Sequence, residues 1–364
     1  MKVAFLLGPL NRGGAETLVL DTLRKAENAP FEMILIHRKS GSMQTDFYET
    51  GVKCIRCRSK ISKPFRCIIE LRRILKTECV DVIHTQQRID AFLACFAIIG
   101  RKIKIVDTFH GFDTGYGLWS RFNVKFSSRH SDALAFVSQY EADHYKMKYK
   151  IPDEKVRVVY NGIDFSKMDD ALEPENLPNS KKGALRMAMV GSFGPGRDQM
   201  TVCKFLKVLN DRNVPFDFYF VGGKNSERPE LFENCENYCK ENEIGDDVHF
   251  VGVRKDVPSI LKTMDAFIYS TEHDTFGIAV VEAIASGLPV FVNDWGVMKE
   301  ISNNGAWATL YETKNVEDLC AKFMDFVKHQ LEYKEKAKNN AIAVRNEYSI
   351  ERFADKLWKM YRTL

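Results

Sequence analysis

Short runs rich in β-branched and aromatic residues alternate with helical patterns from end to end, and nothing else in the sequence restricts the fold as much. In the first half the strand-like runs are 2–7, 31–36, 52–57, 81–85, 104–108, 133–137 and 156–160. Helical patterns lie between them at 15–25, 65–76, 89–99 and 139–149. Strands that are apolar on both faces and separated by helices predict a parallel sheet covered on each side. A polar stretch with two prolines, 169–183, reads as a linker, and the alternation then restarts. The later runs are 185–190, 217–221, 248–251, 266–269 and 289–292. From 348 to 364 the chain predicts an amphipathic helix with Phe353, Leu357, Trp358 and Tyr361 on or near one face. The α/β architecture expected is two doubly wound domains in tandem with a cleft between them. Ligands bind such sheets at the carboxyl ends of the strands.

Bulk properties agree. At 364 residues the chain is too long for one ordinary core, and 45% hydrophobic residues suit packed domains. No stretch approaches the roughly 18–20 apolar residues of a membrane-spanning helix. The opening run Val3-Ala4-Phe5-Leu6-Leu7 is followed by Gly8-Pro9 without a small-residue cleavage site. It reads as a buried strand rather than a secretion signal, so a cytoplasmic location is expected. Nine cysteines include one CxxC pair, Cys54 and Cys57, in a strand-like run. With no second pair at ligand spacing, reduced structural thiols are expected. A net charge of +4 is small for this length and argues nothing about nucleic acid.

Two loops are suited to anions. After the first run comes Gly8-Pro9-Leu10-Asn11-Arg12-Gly13-Gly14-Ala15-Glu16. It matches neither G-x-G-x-x-G nor the P-loop pattern. What it offers is a Gly-Gly pair at a strand-to-helix turn, where backbone N–H groups can approach an anion. A tight turn without ligand is the alternative. The second loop, 270–278, turns through Gly277 into a helix whose free N–H groups face the strand ends. Glu282 falls one turn into that helix, where it could accept hydrogen bonds from a ribose or simply complement the helix dipole.

The segment Asp274-Thr275-Phe276-Gly277-Ile278-Ala279-Val280-Val281-Glu282, continuing through Ala283 to Val290, resembles the signature of family 4 glycosyltransferases: an acidic pair, E-x7-E, around F-G, then E-A-x-A-x-G-x-P-V. Five further segments resemble that family in the same order. They are Asn11-Arg12-Gly13-Gly14-Ala15-Glu16, Asp81-Val82-Ile83-His84, Phe109-His110-Gly111, Val159-Tyr160-Asn161-Gly162-Ile163-Asp164 and Val248-His249-Phe250-Val251-Gly252. The resemblance implies the GT-B fold, two Rossmann-like domains facing each other across a cleft. Its expected limits are 1–168 for an acceptor-side domain, 169–184 for the linker and 185–346 for a nucleotide-sugar domain. The tail 347–364 is expected to pack back on the first domain.

The resemblance also implies roles. Gly13 and Gly14 would let the backbone meet the donor diphosphate, and His110 would reach the donor sugar or its β-phosphate. The amides of Phe276, Gly277 and Ile278 would hold phosphate, Glu282 the ribose, and Asp274 the hydroxyls of the transferred sugar. Transfer would retain anomeric configuration without metal or other cofactor, unlike the paired-carboxylate chemistry of most glycosidases. No Asp-x-Asp occurs in the sequence.

Two positions depart from the family. Its diphosphate clamp, G-R-x4-K, here reads Gly191-Ser192-Phe193-Gly194-Pro195-Gly196-Arg197, so Ser192 replaces the arginine and Arg197 the lysine. Either Arg197 takes both phosphates bidentately, or Lys224 or Arg254 supplies the missing charge. Asp274 is shorter than the usual glutamate by roughly 1.5 Å, and Glu272 competes for its role.

Basic and aromatic residues interleave at 53–76 and again at Trp119, Arg121, Phe122, Lys125, Phe126 and Arg129. Such surfaces suit an anionic membrane face; ordinary core helices with solvated basic faces would look the same. The expected partners are a nucleotide-sugar donor, a saccharide or lipid-linked acceptor of surface polysaccharide synthesis, and the inner membrane face. A nucleotide-sugar 2-epimerase and a degenerate, non-catalytic binding subunit are the alternatives. No motif supports nucleic-acid recognition.

Overall fold

The computed structural model describes residues 1–112, 117–178 and 181–364. The chain divides into two compact units, Met1–Gly162 with Ile350–Leu364, and Ile163–Ser349.

Among the described residues, the first unit holds a seven-stranded sheet: β1 (Lys2–Pro9), β2 (Glu32–Lys39), β3 (Lys53–Arg56), β4 (Val82–Thr85), β5 (Lys104–Phe109), β6 (Ala133–Phe136) and β7 (Val156–Val158). Their order is β3-β2-β1-β4-β5-β6-β7, with parallel pairing throughout. Successive residues of a strand point to opposite faces, so each strand feeds two cores. Val3, Phe5 and Leu7 join one core with Leu18 and Leu23 of helix Gly14–Arg24. Ala4 and Leu6 join the other, under helices Pro64–Thr77 and Arg88–Ala97.

The C-terminal helix belongs to the first of these cores. Phe353, Leu357, Trp358 and Tyr361 are buried in it, each contributing roughly 1.5–3 kcal/mol of apolar burial. Gly162 is required there, because a Cβ would stand 2.6 Å from that of Phe353 and 2.8 Å from the Cα of Ile350.

The second unit carries β8 (Leu185–Val190), β9 (Phe216–Val221), β10 (Val248–Gly252), β11 (Ala266–Tyr269), β12 (Val290–Asn293) and β13 (Thr309–Tyr311). The order is β10-β9-β8-β11-β12-β13, again parallel. The alternation therefore yields two doubly wound, Rossmann-like sheets. Each reverses its strand order once, between β1 and β4 and between β8 and β11. Those are the switch points at which such folds bind ligands.

Several expectations change. The tail is not one helix from 348: helix Gln330–Tyr348 ends at Ser349, whose extended backbone separates it from Ile350–Arg362. β1 continues two residues past Leu7 to Pro9, and β7 stops at Val158. β13 was not expected at all. The polar run after residue 168 is tied to the second unit. Lys181 N–H donates to Asp217 (2.8 Å), Glu175 N–H to Asp256 (3.0 Å) and Tyr219 Oη to the Pro178 carbonyl (3.0 Å); residues 179 and 180 lie outside the described residues. All nine cysteines are free. Cys54 and Cys57 lie on opposite faces of their sheet, and the neighbour of Cys57 is Cys67, at 3.9 Å.

Candidate active site

At the first unit's switch point, Gly13 precedes helix Gly14–Arg24 in extended conformation, with no side chain capping the helix. The first N–H groups of a helix lack intrahelical partners and favour an anion. His110 follows β5, and Gln86 follows β4; the Gln86 Oε1 accepts from His110 Nε2 at 2.7 Å. Burial holds the His110 ring down to about 4, so it is neutral at physiological pH. Beside it, Arg88 and Tyr145 both donate to the Gly111 carbonyl, at 2.9 Å each. Arg38 forks onto Asp90, with both side chains buried. Sequence reading named neither Gln86 nor Arg88. Their signal was position alone, just past the carboxyl end of a buried strand.

The second unit's switch point brings together the loops after β8 and β11. Thr271 Oγ1 and Glu272 N–H both donate to the Gly196 carbonyl, at 2.8 Å each. Asp198 caps helix Gln199–Asp211 by accepting from Thr201 N–H (3.2 Å) and also accepts from Ser270 Oγ (3.0 Å). Gly196 has φ +87°, and a Cβ there would lie 2.4 Å from that of His273. Only glycine lets the two loops close this tightly.

Arg197 and Asp274 meet within this lacing. Arg197 Nη1 donates to Asp274 Oδ2 at 2.8 Å, and Tyr269 Oη donates to the same oxygen at 2.8 Å. The guanidinium also lies over the Tyr269 ring, 5.5 Å from its centroid. Asp274 Oδ1 accepts from Thr275 N–H at 3.0 Å. Burial raises the Tyr269 hydroxyl well above its ordinary range, so it remains a donor. Ser192 is exposed, and Gln199 Nε2 donates to its carbonyl at 3.1 Å.

The other cations differ in availability. Arg254 is held by both oxygens of Asp256 (2.8 and 2.6 Å) and also donates to the Glu175 carbonyl. The Arg254 hydrogen bonds bring Asp256 down to about 2. Lys224 pairs in backbone register with Phe193, next to Ser192; its ammonium lies 4.3 Å from the Phe232 ring centroid and 3.9 Å from the exposed Glu233 carboxylate, a loose surface pair, with half its side chain exposed. Lys224 is therefore the better placed substitute for the charge missing at Ser192. Glu272 pairs with Lys314 at 2.5 Å.

Phe276 is buried edge-on against Tyr348, with centroids 5.5 Å apart. Gly277 caps helix Ile278–Ala285 in the left-handed region, φ +87°, where a Cβ would stand 2.7 Å from Met298 Cε. Glu282 is one turn into that helix. Desolvation lifts its carboxyl from an ordinary 4.5 to about 7, with the Lys167 ammonium opposing. Among the described residues, no group of three or more His, Cys, Asp or Glu side chains is placed to hold a metal ion.

The profile for Glycosyltransferase Family 4 matches residues 12–167, and that for Glycosyl transferases group 1 matches residues 174–344. The chain belongs to glycosyltransferase family 4. The transferase is 24% identical over 301 residues to the UDP-Gal:alpha-D-GlcNAc-diphosphoundecaprenol alpha-1,3-galactosyltransferase of Escherichia coli, covering 77% of this chain and 76% of that one. It is 22% identical to the capsular polysaccharide biosynthesis glycosyltransferase CapH of Staphylococcus aureus, covering 78% of each. Among solved structures, a Rickettsia africae glycosyltransferase matches with a TM-score of 0.85 at 20% identity, over 100% of this chain and 98% of that one. Anabaena HepE in complex with UDP matches with 0.85 at 15% identity, over 100% of both. Both likenesses establish the GT-B fold.

Proposed function

We propose that this transferase moves a sugar from a nucleoside diphosphate donor to a saccharide or lipid-linked saccharide in bacterial surface polysaccharide synthesis, with retention and without a metal. The observation that supports the donor half is the β8/β11 switch point, where Arg197 is fixed by Asp274 and Tyr269 and the chain after β11 turns through Gly277 into the helix that carries Glu282. Phosphate would sit on the N–H groups of Phe276, Gly277 and Ile278, and the ribose on Glu282. In the reaction the bond from C1 to the phosphate oxygen breaks, and a bond from C1 to the acceptor oxygen forms on the same face. The acceptor's proton passes to the leaving phosphate oxygen. Helix-end N–H groups and Arg197 stabilise the charge that develops on the diphosphate. His110, neutral and fixed by Gln86, serves the transferred sugar as a hydrogen-bonding group rather than a cation. The Escherichia coli relative, a galactosyltransferase named for a UDP-sugar and a diphosphoundecaprenol-linked acceptor, supports this reading.

A panel of nucleotide sugars tests it. Slow release of nucleoside diphosphate from one donor by hydrolysis, unaffected by excess EDTA, and faster release with sugar appearing on a lipid-linked acceptor once it is added, is the expected result. Binding without turnover of any donor would favour the non-catalytic alternative, and EDTA-sensitive turnover would remove the metal-free mechanism.

The acceptor reading extends to an anionic membrane face. Helix Leu118–His130 exposes Leu118, Trp119 and Phe122, while Phe126 packs inward against Phe92 and Phe96. Arg121, Lys125, Arg129, Lys148 and Lys150 line a neighbouring cleft of about 610 Å³, which has no carboxylate in its lining among the described residues. Among the described residues, no helix is long and apolar enough to cross a membrane. Flotation with vesicles containing anionic lipid at low salt is expected to carry the protein, and about 0.5 M salt to release most of it. Equal flotation with neutral vesicles would contradict an electrostatic footing.

A further inference from the structure

The contacts of Asp274 leave it little capacity to read a sugar. Its side chain is 10% exposed. Oδ2 already accepts from Arg197 and Tyr269, and Oδ1 from the Thr275 N–H. A sugar hydroxyl reaching this carboxylate would have to displace one of these donors or share an oxygen with it. Arg197, by contrast, is held but not exhausted. Nη1 serves Asp274 and reaches Thr271 Oγ1 at 3.5 Å, while Nε is buried and has no acceptor among the described residues. Nε also lies 3.3 Å from where a Gly191 Cβ would stand, at the carboxyl end of β8 and beside Ser192. The guanidinium is therefore fixed at the switch point by one carboxylate and one aromatic face, with donor capacity remaining.

We propose that Asp274 is a positioning residue: with Tyr269 it locks the Arg197 fork against the donor diphosphate and partly neutralises it, and it does not contact the transferred sugar. The inference rests on the donor-binding reading above and reassigns one residue within it. A carboxylate that shares the guanidinium weakens the ground-state hold on the nucleoside diphosphate. It also fixes the fork where charge grows on the leaving group, and only that second effect accelerates transfer. The two effects have opposite signs on affinity and rate, so variants separate them.

The experiment measures binding of UDP, which carries no sugar, by titration calorimetry on the full chain, alongside kcat and the donor KM. Wild-type protein is expected to bind UDP. In Asp274→Asn the freed guanidinium should bind UDP about threefold to tenfold more tightly, while kcat falls at least about tenfold. Asp274→Glu keeps the neutralising charge but displaces the fork. Its UDP affinity should stay within about twofold of wild type, and kcat should again fall. Direct sugar contact predicts otherwise: unchanged UDP affinity in Asp274→Asn, a raised donor KM, and activity retained in Asp274→Glu. That pattern would overturn the assignment, as would unchanged kcat in both variants. Should Asp274→Asn fail to fold, Asp274→Glu alone decides between the two patterns. Failure of wild-type protein to bind any of a set of nucleoside diphosphates would instead overturn the donor-binding reading, and this assignment with it.

Discussion

Arg197→Met is expected to lower kcat/KM for the donor by about 10²–10³-fold, roughly 3–4 kcal/mol of transition-state stabilisation. The magnitude follows from the inventory of charge at the β8/β11 switch point. Ser192 brings none, and Arg254 is consumed by Asp256. Lys224 remains half exposed, where solvent weakens it. Arg197 is the cation that the loop lacing fixes, so its loss cannot be made up by a neighbour that is equally well placed. Arg197→Lys should recover only part of the activity, because a point charge cannot serve Asp274 and a diphosphate in the planar geometry of a guanidinium.

The same variant tests the architecture of the pair. Removing Arg197 leaves a nearly buried carboxylate that keeps, among the described residues, the Tyr269 hydroxyl and the Thr275 N–H. Breaking a fully buried pair typically costs about 3–5 kcal/mol. Arg197 keeps 26% of its side-chain surface, so about 2–3 kcal/mol is the expected loss in urea unfolding. The double variant Arg197→Met with Asp274→Asn should regain most of that stability and none of the activity. A single variant as stable as wild type would mean that the pair contributes nothing to the folded state.

Legibility in the sequence followed the range of the interactions involved. The strands β1, β8 and β11 were readable because a parallel strand buried on both faces is a continuous apolar run. β13 was not, since Thr309-Leu310-Tyr311 is three residues long, with only Tyr311 fully buried, and offers no period to detect. The turn at Gly277 and the position of Glu282 one turn later are local features, carried by adjacent residues. The triad of Arg197, Asp274 and Tyr269 is not local. It forms because β8 lies beside β11 across two intervening strands in sequence, and strand order is not written in any one segment. The link between Gln86 and His110 has the same origin, in the adjacency of β4 and β5. For the same reason Cys54 and Cys57, close in sequence, lie apart on opposite faces, while Cys67 reaches Cys57 from a following helix.

Nucleotide binding should release a proton near neutral pH and tighten about tenfold between pH 6 and pH 8. Desolvation holds the Glu282 carboxyl at about 7 in the ligand-free protein, so it is roughly half protonated there. Ribose hydroxyls donate to the carboxylate, which favours the charged form, and binding therefore pulls the group toward its ordinary value. Stability of the ligand-free protein should move the opposite way. A carboxyl raised in the folded state contributes stability fully below its unfolded value near 4.5. That contribution is lost as pH rises through 7, with a ceiling of about 3 kcal/mol. Glu282→Gln should remove both dependences: its nucleotide affinity would be weaker but flat with pH, and its thermal midpoint would gain on wild type between pH 5 and pH 8. Calorimetry in two buffers of different ionisation enthalpy measures the released proton directly. Proton uptake, or wild-type binding that is independent of pH, would place the ribose somewhere other than Glu282.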